Sequence, residues 1–375
     1  HTLLTDNPNA EAVRRYVRER KISDQTVESF QLGWAPDSWD STSQHLRQRG
    51  FTDTDIFEAG LSVKKERGSG FYDRFRHRLV FPIHDSHGQV VGFGGRILPG
   101  GGEEGAKYLN TPQTIIYNKS AILYNLHRAK SDIRARDQVV LVEGYMDAIA
   151  SYEAGVKNVV AVSGTALTAE QVKRLKYFTS NLAIAFDMDP AGAAAAWRGI
   201  DVALTAECNV KVITLPFGKD PDECIRRDLA AWATAVGSAV EFMEYCFRKT
   251  LERYPPTGAG NKKRAVSLLL AVVARLGSAV EQSHWLQQLS STLDVPEQVL
   301  REALPRPSRR GEAATPPRPP TEDKLRWQRL EEELLSLLLY RHQLMSVALQ
   351  WIGPEQLADP GLQALYRAMV VYYNE

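Results

Sequence analysis

The sequence has little cysteine, no long apolar run and almost no net charge, and each shortage removes a class of function. Cys208, Cys224 and Cys246 stand isolated, with no C-x-x-C pair. Neither a disulfide framework nor a zinc site is supported, and a reducing cytoplasm fits. No apolar stretch approaches the roughly 20 residues that a membrane-spanning helix needs, and no signal-like segment is present. The absence of a G-x-x-x-x-G-K-[ST] loop removes a P-loop ATPase. With 46 Lys/Arg against 45 Asp/Glu the net charge is +1, so a surface for a polyanion must be a local patch. Apolar content of 43% and charged content of 24% are those of a globular protein, and 375 residues exceed one ordinary core, so two to four domains are expected.

What the chain does hold is a series of acids at the ends of apolar segments. Val139, Val140, Leu141 and Val142 read as a short strand buried on both faces, ending at Glu143-Gly144 before helix-forming residues. A buried strand entering a helix through one glycine is the first half of a βαβ unit. Ligands of such sheets gather beyond the carboxyl ends of the strands, where Glu143 falls. Leu182 to Phe186 repeats the pattern and runs into Asp187-Met188-Asp189-Pro190-Ala191-Gly192. Val210 to Leu215 runs into Gly218-Lys219-Asp220-Pro221-Asp222. Single acids at helix starts answer the helix dipole. Asp-x-Asp followed by glycine, with a lone Glu one βαβ unit earlier, points to chemistry instead. Between them, Val159 to Val162 reads as a further strand, ending at Ser163-Gly164.

Positive charge collects ahead of these acids. Residues 64–130 hold eleven Lys/Arg and five Asp/Glu, a surplus of six. Arg78 to Ile83 and Gln89 to Phe93 read as strands joined by the turn Asp85-Ser86-His87-Gly88. In Tyr72-Asp73-Arg74-Phe75-Arg76-His77-Arg78 charges alternate, so a strand here would project Arg74, Arg76 and Arg78 from one face. Three cations two residues apart form a track for a polyanion. The glycines of Gly92-Phe93-Gly94-Gly95-Arg96 read as a bulge or tight turn, or with Arg96 as a place where phosphate meets the backbone.

In this order and spacing, EGYMD, SGTALT, FDMDPAG and LPFGKDPDE resemble the Toprim domain, and more narrowly the version in bacterial DnaG-type primases. YDRFRHR, GFGGR, AKYLNTP and YNK resemble the basic subdomain of the same primases, and the likeness covers about residues 9–304. It implies a fold of class α/β: a Toprim parallel βαβ sheet flanked by a basic mixed α+β N-terminal subdomain and a C-terminal helical subdomain. It implies a primase that makes short RNA primers on single-stranded DNA by two-metal nucleotidyl transfer. Clustered carboxylates suit Mg²⁺, or Mn²⁺, where Cys or His would not. Glu143, Asp187 and Asp189 would be catalytic and, with Asp220 and Asp222, hold the metals. Whether Glu143 is a ligand or handles the hydroxyl proton stays open. Met188 replaces the smaller residue common between the two acids, and Asp147 reads as a structural partner on its helix. Arg74, Arg76, Arg78, Arg96, Lys107 and Lys119 would hold template or incoming triphosphate.

The expected domains are 1–130 (basic, template-binding), 131–232 (Toprim), 233–304 (helical), 305–322 (a linker rich in proline) and 323–375 (the start of a helicase-interaction domain). Val266, Leu269, Leu270, Val273 and Leu276, then Trp285, Leu286, Leu289 and Leu293, keep a helical period that core packing explains. Expected partners are single-stranded DNA, ribonucleoside triphosphates and, through the C-terminal region, the replicative helicase; no membrane is involved, and the protein is expected to be a monomer in the bacterial cytoplasm at the replication fork. His1 in place of Met marks a fragment, and the family's zinc-binding domain is expected to lie upstream, so no zinc is expected here. Two other readings share the acids: a Toprim nuclease or topoisomerase, and a non-catalytic nucleic-acid adaptor for a helicase. A type IA topoisomerase needs a tyrosine on a large arch domain, for which the chain has no room. An adaptor would have lost one or more acids, and none is lost.

Overall fold

Short, continuously apolar strands buried on both faces set the architecture. In the computed structural model, which describes residues 1–65, 68–99, 106–164, 166–185 and 190–305, with 330–331, 333–338, 341, 344–353, 356–357, 362–363, 365–366 and 369–370 beyond, two sheets carry the larger part of the chain. The first holds β1 (Gly33–Ala35), β4 (Arg78–His84), β5 (Val90–Ile97) and β6 (Tyr108–Asn110), all antiparallel, in that order. A two-stranded ribbon, β2 (Ser62–Lys64) with β3 (Phe71–Asp73), stands apart from it. The second sheet holds β7 (Val139–Val142), β8 (Val159–Ala161), β9 (Asn181–Ala185), β10 (Asn209–Val212) and β11 (Val240–Glu241) in the order β11-β10-β9-β7-β8. Its first four strands run parallel, and β11 closes the edge antiparallel to β10.

Because successive side chains point to opposite faces, the parallel sheet feeds two cores. Val139, Leu141, Val160, Leu182, Ile184, Val210 and Val212 pack with Leu269, Leu270, Val273, Leu286, Leu289 and Leu293 of the helices Ala259–Val273 and Ala279–Leu293. Val140, Val142, Val159, Ala161, Ala183 and Ala185 pack with Tyr145, at the start of the helix after β7, and with the N-terminal region, including Phe30, Leu79 and Phe81. The expected α/β class with a helical C-terminal flank is the observed one. Chain order and strand order reverse between β8 and β9, so β7 and β9 are neighbours at the topological switch point, with Val142 opposite Ala185.

Gly33 to Ala35 forms a short edge strand on β4. Two local readings change. The glycines of GFGGR lie inside β5, and close packing is their reason: a Cβ on Gly94 would fall 2.4 Å from the Tyr145 ring, and one on Gly95 would fall 2.7 Å from Phe75. The stretch from Tyr72 to Arg78 is not one strand, since β3 ends at Asp73, β4 begins at Arg78, and His77 between them takes φ +50°. Asp73 turns inward to accept the backbone N–H groups of Thr42 (2.6 Å) and Ser43 (3.0 Å) at the start of the helix Ser41–Gln48.

All three cysteines are buried and unpaired. No helix among the described residues is long and apolar enough to cross a membrane. The linker expected at 305–322 lies, from 306 on, outside the described residues. The chain divides into two units, His1–Arg306 and Pro307–Glu375. The second has its own small core of Leu335, Leu338, Met345, Ala348, Leu357 and Tyr366 around the helix Met345–Trp351.

Candidate active site

Beyond the carboxyl end of β7 the chain turns through Glu143-Gly144 into the helix Tyr145–Glu153. Asp147, three residues into that helix, folds back to accept the Gly144 N–H at 3.0 Å, which fixes the turn. Its other oxygen accepts the Asp222 N–H at 3.2 Å, tying this turn to the start of the helix Pro221–Arg227. Asp220 caps that helix by accepting the Glu223 N–H at 2.7 Å, with Pro221 at the first helical position, where a missing N–H costs nothing.

Asp222 is buried, with 3% of its surface exposed, and one of its oxygens, Oδ2, takes two guanidinium groups. Arg20 reaches it from the N-terminal region, and Arg226 from one helical turn away at 3.4 Å. Its Oδ1 is buried without a hydrogen-bond partner. Burial, and then the charges of Asp220 and Asp222, push the Asp147 carboxyl up to about 8 against the pull of the two N–H groups it accepts.

These groups face a cavity of about 280 Å³. Its acids are Glu143, Asp147, Asp220 and Asp222, and its cations are Arg20, Arg96, Lys107, Lys219 and Arg226. Arg96 on β5 donates to the Tyr108 hydroxyl at 2.8 Å and lies over the rings of Tyr108 and Tyr16, at 5.4 and 5.8 Å. The far wall is Ser163-Gly164, both with positive φ, held by the Ser163 N–H on the Glu143 carbonyl (2.9 Å) and by Asn110 on the Ser163 carbonyl (3.4 Å). The Tyr145 hydroxyl donates to Asn110 at 2.8 Å, which ties the helix after β7 to β6 of the first sheet.

Of the residues singled out in the sequence, Glu143, Asp220, Asp222, Arg96 and Lys107 come together around this cavity. Lys119 donates to the Gly164 carbonyl at its rim, at 3.3 Å. Asp187 and Asp189 lie outside the described residues. Arg74, Arg76 and Arg78 do not form the exposed row that a strand would give. Arg78 is buried and donates to the Gly95 carbonyl at 3.1 Å, Arg74 is half-buried, and Arg76 lies over the rings of Trp39 (4.1 Å) and Tyr72 (5.1 Å). The turn at His77 breaks the period on which the row depended. Sequence reasoning missed Arg20, Arg226, Asn110 and Tyr145. Arg226 could have been found from its four-residue spacing to Asp222. Arg20 stands 202 positions from its partner, and no local signal marks it.

Three family profiles match in sequence: "DNA primase catalytic core, N-terminal domain" over residues 1–130, "Toprim-like" over 140–225, and "DnaB-helicase binding domain of primase" over 243–298. The last lies on the helical region, upstream of 323–375, where helicase docking was expected. The DNA primase of Clostridium acetobutylicum is 36% identical over 293 residues, covering 78% of this chain and 48% of that protein, so the chain spans about half the length of the curated relatives it matches. The structure of a DnaG primase catalytic domain bound to ssDNA superposes with a TM-score of 0.67 at 30% identity, covering 78% of this chain and 92% of that one. The crystal structure of a DNA primase domain from Pseudomonas aeruginosa superposes with a TM-score of 0.70 at 31% identity, covering 80% of this chain and 94% of that domain. Matched across nearly the whole of that domain, and with a Toprim-like profile over its parallel sheet, the chain belongs to the DnaG-type DNA primase family.

Proposed function

We propose that the chain synthesises short RNA primers on single-stranded DNA, joining ribonucleoside triphosphates by attack of a 3′-hydroxyl on an α-phosphate. The observation that carries this reading is the meeting, in one cavity, of acids from the parallel sheet with Arg20, Arg96 and Lys107 from the basic N-terminal region. An acid cluster alone suits any phosphodiester chemistry; cations set opposite it suit a substrate that arrives as a triphosphate.

Among the described residues no three Asp, Glu, His or Cys side chains converge on one point, so a divalent cation here would need Asp187 and Asp189 as well as the acids of the cavity. The buried Asp222 Oδ1 has no hydrogen-bond donor, which leaves acceptor capacity for a cation. The donors are oxygens, the ligand type of Mg²⁺ and Mn²⁺. Glu143, Asp220 and Asp222, with Asp187 and Asp189, would hold such ions. Bound there, two divalent cations supply activation of the hydroxyl and stabilisation of the leaving pyrophosphate. The chain's own part is to orient. Arg96 and Lys107 fix the triphosphate, and Glu143 serves as a ligand or takes the hydroxyl proton. Arg74, Arg76 and Lys119 bind template outside the cavity, while Arg78, buried on the Gly95 carbonyl, has no face to offer it.

Residues 1–130 bind template, 131–232 hold the metals and 233–304 form the helical subdomain. The profile over 243–298 favours that subdomain as the segment that meets the replicative helicase, with 305–322 and 323–375 following as linker and second unit. The protein acts as a monomer in the bacterial cytoplasm. Incubation with single-stranded template, labelled ribonucleotides and Mg²⁺ or Mn²⁺ tests the reading. Primers should appear, and Asp187→Ala or Asp189→Ala should abolish them with circular dichroism and melting unchanged. Synthesis retained in either variant would remove these acids from the chemistry.

A further inference from the structure

We infer that Arg20 is the resident counter-ion of Asp222, and that a divalent cation taking this carboxylate releases the guanidinium into the cavity to meet an anionic substrate. The inference rests on the metal reading above and goes beyond it, because it couples occupancy of the acids to the charge offered to phosphate.

The geometry has three parts. First, Arg20 is mostly buried, with 18% of its side chain exposed, and its pair with Asp222 joins a residue in the N-terminal profile to one in the Toprim-like profile. A charge pair this buried is not a screened surface contact. Second, Arg20 donates to Oδ2, Arg226 approaches the same oxygen at 3.4 Å without a hydrogen bond, and Oδ1 is buried with no donor. A carboxylate with one oxygen left without a donor keeps acceptor capacity for which a divalent ion, an oxygen-seeking cation of higher charge density, competes. Third, the released guanidinium has somewhere to go. Arg20 already lies over the Tyr16 ring at 5.2 Å, and Arg96 lies over the same ring at 5.8 Å. A small swing on that ring would keep Arg20 within the cavity beside Arg96 and Lys107, which it also lines.

By linkage, a cation that weakens the Arg20–Asp222 pair is itself opposed by that pair, so removing Arg20 must strengthen binding of the ion. A purely structural role gives the opposite sign, since untying the two regions would loosen the site.

The test measures Mn²⁺ affinity of the full chain by electron paramagnetic resonance of the free ion, without nucleotide or template. Arg20→Gln should bind Mn²⁺ roughly tenfold tighter than the parent, the range expected when a charge-assisted hydrogen bond no longer competes. Arg20→Lys, which keeps the charge but not the planar fork, should fall between the two and serves should the glutamine variant fold poorly. Asp222→Asn should weaken Mn²⁺ binding. In the presence of Mn²⁺, Arg20→Gln should also bind a fluorescent ribonucleoside triphosphate less tightly. Should Asp222→Asn weaken the ion while both Arg20 variants bind it equally or more weakly than the parent, the metal reading stands and this inference is overturned. Unchanged Mn²⁺ affinity in Asp222→Asn would overturn both.

Discussion

Replacing Gly94 by alanine tests most directly why the two sheets meet as they do. In β5 this glycine is not at a turn, and its Cβ would fall 2.4 Å from Cε2, 2.6 Å from Cζ and 2.9 Å from the hydroxyl of Tyr145. No real pair of atoms sits so close, so the ring or the strand must move. The ring has little freedom: it is 2% exposed, stacked on Phe81 at 5.2 Å and edge-on to Tyr124 at 4.8 Å. Forcing a methyl into such packing costs about 1–3 kcal/mol. Alanine also stiffens the unfolded chain, which returns about 0.4–1 kcal/mol. The net expectation is destabilisation of roughly 1–2 kcal/mol, read as a lower urea midpoint with an unchanged slope. Tyr145→Ala should itself cost about 3–5 kcal/mol through the cavity it opens. In the double variant the new methyl enters that cavity, so the two costs should fall short of additivity by about 1 kcal/mol or more. A neutral Gly94→Ala, or strict additivity, would refute the packing argument and return these glycines to a role in phosphate approach.

Two further outcomes follow from particular side chains. Lys107→Ala should weaken single-stranded DNA or triphosphate binding more than folding, and should flatten the plot of log affinity against log salt by roughly 0.7 for each phosphate the lysine had neutralised; an unchanged slope would place Lys107 in bulk solvent. His127, ring to ring with His84 at 4.3 Å, is pushed down to about 3, first by burial and then by Arg128 and His84. The folded state therefore keeps it neutral while the unfolded chain takes up a proton near 6.5, so its contribution is present above that pH and lost as pH falls from about 6.5 towards 3. His127→Gln should melt with a shallower dependence on pH across that window; an identical dependence would show that His127 does not titrate differently on folding.

The acids were legible because one short-range grammar writes them. An apolar run, then a turn, then a helix start places Glu143 directly after β7 and Asp220 at the cap of the helix Pro221–Arg227 whatever surrounds them. The helical subdomain was legible for a similar reason, since the period of Leu269, Leu270 and Val273 needs no partner to be read. The row of arginines failed because alternation is read on the assumption that the strand continues. Asp73 instead spends its carboxylate on a helix 30 residues upstream, and His77 turns the chain before Arg78 re-enters a sheet. That decision is tertiary, and no window around residue 75 contains it. Arg20 was invisible on the same ground, and so was Tyr145, which reads as one more aromatic residue in EGYMD until Gly94 and Asn110 are set against it.

A cluster of acids must be tolerated by the fold before it can do chemistry, and here Asp220, Asp222 and Asp147 are each tolerated differently. Asp220 accepts the Glu223 N–H at the start of a helix, a solution local to its own loop. Asp222 is held by two guanidinium groups, one local and one borrowed from the N-terminal region. Asp147 is buried, and burial, then the charge of Asp220, raises its carboxyl to about 8, so that it bears its negative charge less readily than the others. Three separate answers mean that these carboxylates do not need one shared ion in order to fold. They also mean that the answers respond separately when an ion arrives: the helix cap is fixed, the Asp147 carboxyl can ionise, and Arg20 can move. Of the three, only the last carries a positive charge from one side of the cavity towards the other. That is why the pair between Arg20 and Asp222, rather than the acids themselves, decides whether the two halves of the site act independently or in sequence.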